Sequence, residues 1–225
     1  MSRTEKKFIQ SLMYAKQASS IIEKVLRADD HNGWEGYLVR SLYFDTLSDD
    51  DYFDKDNGLE TRRKIRLRIY PPNFTTVKLE VKEKNGSSQR KRSLMFEKKD
   101  AEALIRLDYS VLLRYESDLA LELFRIMSME HYIPRCMIEY RRLAFSAPAN
   151  YTRLTFDSNI KASESFFDIF ASELPLHPIL QQDSMILEVK YNHFLLSYVR
   201  DILSGFDKME TSASKYCLAR QMIQY

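Results

Sequence analysis

The sequence is poor in the residues on which several common kinds of site depend. Its 225 residues include five glycines, and none of them forms a glycine-rich phosphate loop. Its two cysteines, Cys136 and Cys217, form no framework of spacings, and the four histidines are scattered without metal-ligand spacing. These absences argue against a glycine-loop nucleotide site, a disulfide scaffold and a zinc site, and they predict reduced thiols in a cytosolic protein.

Long hydrophobic runs are also missing. No stretch approaches the 18 or more apolar residues of a membrane span, and the N-terminal residues lack the apolar core of a signal peptide. We therefore expect a soluble cytoplasmic protein that does not insert directly into a membrane. Its length allows a hydrophobic core of its own and favours one domain over residues 1–225.

The charge balance limits the kind of partner. Lys and Arg number 34 and Asp and Glu 32, which leaves a net charge of only +2. Basic strands are therefore a local concentration balanced by acidic residues elsewhere, which favours a pocket over a surface that coats nucleic acid. The basic run at residues 90–92 is short and lies in a predicted strand, so no nucleic-acid partner is expected.

Periodicity predicts an antiparallel α+β protein. An Asn85-Gly86 turn gives a good hairpin signal between two of the strands. Strands are predicted at residues 3–9, 37–45, 60–70, 75–84, 89–96, 134–145, 153–157, 161–162 and 185–191. Helices are predicted at residues 11–26, 48–54, 100–126 with a break at 108–110, 194–203 and 215–223. Residues 162–184 show little periodicity and are interpreted as a loop or mobile flap.

Positive charge recurs at every second residue of several predicted strands. Residues two apart in a strand share a face. Two unit charges about 6 to 7 Å apart repel by roughly 2 to 3 kcal/mol at an effective dielectric of about 20, so such a face suits a polyanion. The stretches are Lys64, Arg66 and Arg68; Lys78, Lys82 and Lys84; and Glu188 with Lys190.

An ordinary sheet with one solvated face would show the same period. The scarcity of neutral Ser and Thr in this register favours an anion site instead. The few carboxylates in the register, Glu5, Glu60, Glu80 and Glu188, could hold a divalent metal between the cations and a phosphate ligand.

Six segments in order resemble one protein family. They are VRSLYFDT (39–46), RKIRLRIY (63–70), KLEVKEK (78–84), RLTFD (153–157), ILEVKY (186–191) and SKY (214–216). Together they are similar to the VTC domain of bacterial and fungal proteins. That domain is the catalytic part of the vacuolar transporter chaperone polyphosphate polymerase and belongs to the triphosphate tunnel metalloenzymes. The resemblance runs from about Arg3 to the C-terminus.

The resemblance implies a closed, CYTH-like tunnel of eight antiparallel β-strands that binds triphosphate or polyphosphate on its inward face, with helices packed outside. It places the wall cations at Lys7, Lys55, Arg66, Arg68, Lys82, Arg142, Arg153 and Lys215, together with Ser214. It places the Mn²⁺ or Mg²⁺ ligand at Glu188, which Glu5 could assist. Lys64, Lys91 and Lys190 lie in matching strands and are expected to support substrate binding.

The resemblance also implies a metal-dependent phosphotransferase that moves the γ-phosphate of ATP onto phosphate or a polyphosphate end. The arginines and Lys82 would hold the triphosphate, and Lys7 and Lys215 would orient the acceptor. Two alternatives stay open: a tunnel-type triphosphatase, with Glu5 or Glu80 as general base, and a non-catalytic module that binds polyphosphate or nucleotide. Protein partners and oligomeric state are left open.

Overall fold

The computed structural model describes residues 3–86, 88–205, 210–211 and 214–223. Within these residues the strands are β1 (Arg3–Ser11), β2 (Arg27–Ala28), β3 (Tyr37–Asp45), β4 (Arg62–Tyr70), β5 (Asn73–Asn85), β6 (Ser88–Phe96), β7 (Ile133–Ala147), β8 (Thr152–Ser163), β9 (His177–Pro178) and β10 (Ser184–Asn192). The α-helices are α1 (Leu12–Ile22), α2 (Asp50–Asp56), α3 (Lys98–Ile105), α4 (Asp118–Met129), α5 (Ser197–Ile202) and α6 (Lys215–Ile223). Short 3₁₀ helices cover Tyr109–Arg114, Ala149–Tyr151 and Leu203–Gly205. In the part of the chain just defined, no helix has both the length and the apolar character to cross a bilayer.

Most predicted elements are confirmed, with two instructive differences. The break predicted at 108–110 within the helix at 100–126 is present but longer: α3 ends at Ile105, Leu107 has a left-handed φ of 69°, a 3₁₀ helix follows, and α4 begins at Asp118. The strands predicted at 153–157 and 161–162 are one strand, β8, which contains Asn159 at a φ of 50°. That backbone irregularity interrupts the alternation of side chains, which is why the sequence suggested two strands.

The chain folds into two compact units, each discontinuous in sequence. Unit 1 comprises Met1–Leu38, Glu139–Lys161 and Pro178–Ser214, and unit 2 comprises Val39–Ile138, Ala162–His177 and Lys215–Tyr225. The prediction of a single domain stays a prediction. In hydrogen-bonding order, eight of the described strands form the path β1-β10-β8-β7-β3-β4-β5-β6, which has ends at β1 and β6. The eight strands expected from the resemblance are present, but among the described strands the sheet is not closed as expected, because β1 and β6 are not paired with each other.

Unit 2 contains an antiparallel sheet with helices on one face. β4 pairs with β3 and with β5, and β5 pairs with β6 through the predicted hairpin. One face of these strands is apolar, as at Leu67 and Leu79, and it packs against α3 and α4 through residues such as Leu104 and Leu123. Burial of this face leaves the alternate side chains on the opposite face.

The segment predicted as a loop or flap begins in unit 2 and is anchored there. Apart from the short β9, residues 164–183 form no regular helix or strand. Ile169 is buried in the unit 2 core, and the Arg40 guanidinium donates hydrogen bonds to the backbone oxygens of Ile169 and Ala171 at 2.8 and 2.7 Å. The buried Arg40 therefore joins β3 to this loop.

Unit 1 repeats the same arrangement with other elements. β10 pairs antiparallel with β1 and with β8, and β2 pairs with the end of β7. The apolar face of these strands, as at Phe156 and Leu187, packs against α1 and α5 through residues such as Ile22 and Val199. Since the helices cover this face, residues 5 and 7 of β1 and residues 188 and 190 of β10 share the other.

Candidate functional site

Cations dominate the polar face of three neighbouring strands in unit 2. Leu67, Leu79 and Phe96 of β4, β5 and β6 belong to the core, and the alternate residues project from the opposite face. That opposite face, the arginine–lysine face, comprises Lys64, Arg66, Arg68, Lys78, Glu80, Lys82 and Lys91. The predicted grouping of alternating cations on one face is confirmed within this unit.

Three of these cations lie directly opposite one another. The register pairs Lys64 with Lys82 and Lys82 with Lys91, so β4, β5 and β6 each contribute one lysine to a row. Like charges at directly opposed positions of a sheet are destabilising. We call Lys64, Lys82 and Lys91 the lysine row, and its concentration of charge is the pattern expected of an anion-binding surface.

One carboxylate lies among the cations of the arginine–lysine face. Glu80 is buried, accepts a hydrogen bond from Arg66 Nε at 2.8 Å, lies 3.6 Å from Arg68 Nη1, and forms an ion pair with Lys91. Burial alone would raise the pKa of Glu80, but the charges of Arg66, Arg68 and Lys91 lower it to about 2. A carboxylate with so low a pKa is a weak base at neutral pH, so Glu80 is better suited to hold cations than to abstract a proton.

Tyr43 is a member of the site that the sequence analysis did not assign. Its buried hydroxyl accepts a hydrogen bond from Arg66 Nη1 at 2.6 Å, and its ring stacks on Tyr216 with centroids 5.1 Å apart. Burial acts to raise the pKa of Tyr43, yet the charges of Arg66, Arg68 and Lys64 lower it overall. The sequence could have indicated Tyr43, because it shares one face of the predicted strand with Ser41 and Asp45.

The carboxylate of Asp45 joins β3 to α2 and α6. The Tyr216 hydroxyl donates to Asp45 Oδ2 at 2.6 Å, and the backbone N–H of Tyr52 donates to the same oxygen at 3.0 Å. The ammonium of Lys64 lies 5.6 Å from the Tyr216 ring centroid, which adds a cation–π contact. Tyr216 therefore connects α6 both to Asp45 of β3 and to Lys64 of the lysine row.

Three candidates lie outside the strand faces. Lys55 is in the last turn of α2, and Lys215 is the first residue of α6. These two helices of unit 2 pack against each other. Ser214 precedes α6 and belongs to unit 1. Their assignment to the phosphate site stays a prediction.

In unit 1, two carboxylates alternate with two lysines. The register places Lys7 opposite Glu188 and Glu5 opposite Lys190. Lys190 Nζ lies 3.0 Å from Glu188 and 3.6 Å from Glu5, and Lys7 Nζ lies 3.0 Å from Glu5 and 3.9 Å from Glu188. Burial acts to raise the pKa of Glu188, but the charges of Lys190 and Lys7 lower it overall. Glu188 is therefore ionised at neutral pH, as a metal ligand must be.

Glu5 and Glu188, the glutamate pair, fit a hard divalent cation. Mg²⁺ is commonly held by one or two carboxylates and completes its coordination with water and substrate phosphates. In the described part of the chain, no group of three or more His, Cys, Asp or Glu side chains could hold a metal ion. The pair therefore suits an ion that shares its coordination with a phosphate ligand rather than one enclosed by protein.

The two remaining predicted cations of unit 1 have carboxylate partners. Arg142 forms two parallel hydrogen bonds with the buried Asp157, at 2.6 and 2.7 Å. Burial acts to lower the pKa of Arg142, but Asp157 holds it well above the usual value. Arg153 lies 3.2 Å from Asp29 and keeps 41% of its side chain exposed, so it is the more accessible of the two.

Comparison with known proteins identifies the fold. An adenylate cyclase candidate from Bacillus halodurans matches with a TM-score of 0.54 at 14% identity, over 95% of this chain and 96% of that chain. An adenylyl cyclase candidate from Hippeastrum with a dominant triphosphatase activity matches with a TM-score of 0.55 at 12% identity, over 99% of this chain and 96% of that chain. At such identities the likeness establishes the fold alone, and the predicted α+β fold of the triphosphate-tunnel type is confirmed.

Sequence comparison identifies the family. A search of curated proteins found no match. The family model described as the VTC domain matches residues 2–224, essentially the whole sequence. The resemblance drawn from six short segments is thereby confirmed, and the chain belongs to the VTC domain family.

Proposed function

We propose that this protein is a phosphotransferase that moves the γ-phosphoryl group of ATP onto phosphate or the end of a polyphosphate chain. The observation that carries the proposal is the lysine row, in which Lys64, Lys82 and Lys91 lie directly opposite one another beside Arg66 and Arg68. Such a concentration of positive charge attracts a polyanion, which would lower the repulsion between the lysines. Membership of the VTC domain family supports the same function.

Phosphoryl transfer needs little covalent chemistry from the protein. It needs alignment of donor and acceptor and neutralisation of the charge that spreads over the phosphoryl oxygens. In the proposed scheme, the guanidinium groups of Arg66 and Arg68 contact phosphate oxygens in pairs, whereas Lys82 acts as a compact charge. Glu80 and Tyr43 fix the direction of Arg66 through the hydrogen bonds described above.

The acceptor determines whether a base is required. An ionised phosphate oxygen attacks the γ-phosphorus directly, a new P–O bond forms, and the bond to the β-phosphate oxygen breaks to release ADP. This route needs no general base. Attack by water would need one, and the low pKa of Glu80 makes that residue a weak candidate, which leaves Glu5 as the candidate base for hydrolysis.

The glutamate pair supplies the proposed metal site. Glu5 and Glu188 would hold Mn²⁺ or Mg²⁺, which when bound neutralises charge on phosphate oxygens. Lys7 and Lys190 each form ion pairs with both carboxylates, and their charges lower the pKa of Glu188. The negative charges of the glutamate pair would therefore complement the positive charge of the metal ion.

Incubation of the purified protein with ATP and Mn²⁺ tests the proposal through its products. Formation of long polymer supports a polymerase. Release of free phosphate alone indicates the triphosphatase alternative, and retained ATP binding without turnover indicates a binding module.

The variant Glu188→Gln tests the metal role within the same assay. It should lower turnover by roughly 100-fold or more, because one carboxylate ligand is lost, while tripolyphosphate binding to the cations persists. Glu210→Gln is the matched control, since Glu210 is an exposed partner of Lys6 in the same unit, and it should keep full activity. Full activity of Glu188→Gln would refute the metal site.

A further inference from the structure

The sequence contains a single tryptophan, and the structure leaves it in solvent. Trp34 lies in the connection between β2 and β3 and is 99% exposed. One exposed apolar residue is ordinary, so exposure alone indicates nothing. The loop that carries it, however, is held by contacts on both sides of Trp34.

The first anchor fixes the loop to β7 by hydrogen bonds. Asn32 donates its amide N–H to the backbone oxygen of Ala144 at 2.7 Å and accepts the backbone N–H of Ala144 at 3.0 Å. The backbone N–H of Asp29 donates to the same Ala144 oxygen at 2.9 Å. Asn32 thus occupies both backbone hydrogen-bonding groups of one strand residue, as a neighbouring strand would.

The second anchor is a close backbone approach on the other side of Trp34. Gly36 has a φ of +82°, and a Cβ at this position would lie 2.4 Å from the backbone oxygen of Arg142, so only glycine fits. The backbone N–H of Gly36 donates to Gly33 at 3.2 Å, which closes a turn with Trp34 inside it. Trp34 is therefore presented from a loop fixed on both sides.

The anchors lie at two predicted phosphate-binding arginines. Gly36 abuts the backbone of Arg142, and Asp29 at the start of the loop pairs with the side chain of Arg153. Two residues of chain span at most about 7 Å, so the Cα of Trp34 lies within that distance of the Cα of Gly36. The backbone of Trp34 is thus held beside the backbone of Arg142, in a loop that also pairs with the side chain of Arg153.

We propose that Trp34 is a stacking platform for the base of a nucleoside triphosphate. The inference rests on the proposed function, because it assumes that Arg142 and Arg153 bind phosphate groups. Aromatic side chains recognise bases through the π-face that every base has. Trp34 therefore contributes affinity for nucleotide over inorganic tripolyphosphate, with little preference between ATP and GTP.

Fluorescence of the wild-type protein tests the inference directly, because Trp34 is its only tryptophan. Titration with ATP should quench or shift the emission, and titration with tripolyphosphate should bind without the same change. Trp34→Ala should weaken ATP binding by roughly 5- to 100-fold, the range expected from loss of one stacked base, and Trp34→Phe should retain most of the affinity. Tripolyphosphate affinity, measured by calorimetry, should be the same in all three proteins.

Tyr151→Ala is the matched control, since Tyr151 is also an exposed aromatic residue of unit 1, and it should bind ATP normally. Equal ATP affinity of Trp34→Ala and wild type would overturn the stacking platform and leave the proposed function standing. A change in sedimentation of Trp34→Ala, with ATP affinity intact, would overturn it in favour of self-association. Failure of the wild type to bind either ligand would instead refute the proposed function.

Discussion

At the scale of single residues, Glu80 controls the charge of the arginine–lysine face. It pairs with Arg66, Arg68 and Lys91 and remains ionised at neutral pH. It has two opposite effects: it stabilises the folded protein without ligand, and in the proposed function it competes with phosphate oxygens for the same cations. Its neighbour Glu83 lies on the other face of β5 and pairs with Arg92 at 2.9 Å.

We expect Glu80→Gln to separate these two effects. Loss of a charge-assisted hydrogen bond should lower the free energy of unfolding by about 1.5 to 3 kcal/mol. Removal of the negative charge should strengthen tripolyphosphate binding by roughly 10-fold. Urea unfolding and calorimetry measure the two quantities. Glu83→Gln, which removes the same charge from the opposite face, should leave the affinity unchanged, and weaker binding by Glu80→Gln would contradict the competition.

At the scale of elements, α2 carries a carboxylate into the interior of unit 2. Asp51 is buried, and it accepts a hydrogen bond from Tyr132, whose hydroxyl in turn accepts one from Arg63. Burial raises the pKa of Asp51, the nearby charge of Asp45 raises it further, and it reaches about 8. The folded protein therefore holds a proton that the unfolded chain releases near pH 4.

A carboxyl group with a raised pKa in the folded state lowers stability as the pH increases. Between about pH 4 and pH 8 the folded state binds more protons than the unfolded state, so the free energy of unfolding decreases with pH across that window. Asp51→Asn should flatten this slope, as measured by urea unfolding at pH 5 and pH 9. Asp56→Asn, on the exposed side of the same helix, should keep the wild-type slope. An unchanged slope in Asp51→Asn would show that Asp51 does not hold the proton.

The sequence predicted elements and faces well because both depend on local alternation. β3 was predicted with its observed bounds, and Arg66, Arg68 and Lys82 were correctly placed on one face. Contacts between side chains of different elements could not be predicted from this alternation. The ion pairs of Glu80 and the stacking of Tyr43 on Tyr216 join residues from different elements, and alternation gives no strand register. The raised pKa of Asp51 depends on its burial, which the sequence of α2 does not show.

At the scale of the whole molecule, the distribution of charge matters more than its sum. The net charge is +2, yet the lysine row concentrates three positive charges in one place. Electrostatic attraction over such a surface weakens as salt screens it. The affinity for polyanions should therefore depend steeply on ionic strength despite a nearly balanced composition.

Lys82→Met and Lys24→Met remove the same charge from different places. Lys82 lies in the middle of the lysine row, whereas Lys24 is exposed just after α1. We expect Lys82→Met to weaken tripolyphosphate binding by roughly 10-fold at low salt and to reduce its dependence on ionic strength, and Lys24→Met to change neither. Calorimetric titrations across a salt series would measure both. Equal effects of the two variants would mean that only total charge matters.

The lysine row also has a consequence for the stability of the folded protein. A ligand that binds only the folded state raises its stability in proportion to the logarithm of its concentration, and in the proposed function a polyanion at the lysine row is such a ligand. Resistance to heat and proteolysis should therefore follow the supply of condensed phosphate in the surroundings. In a cell depleted of condensed phosphate, the same protein would be less stable and more readily degraded.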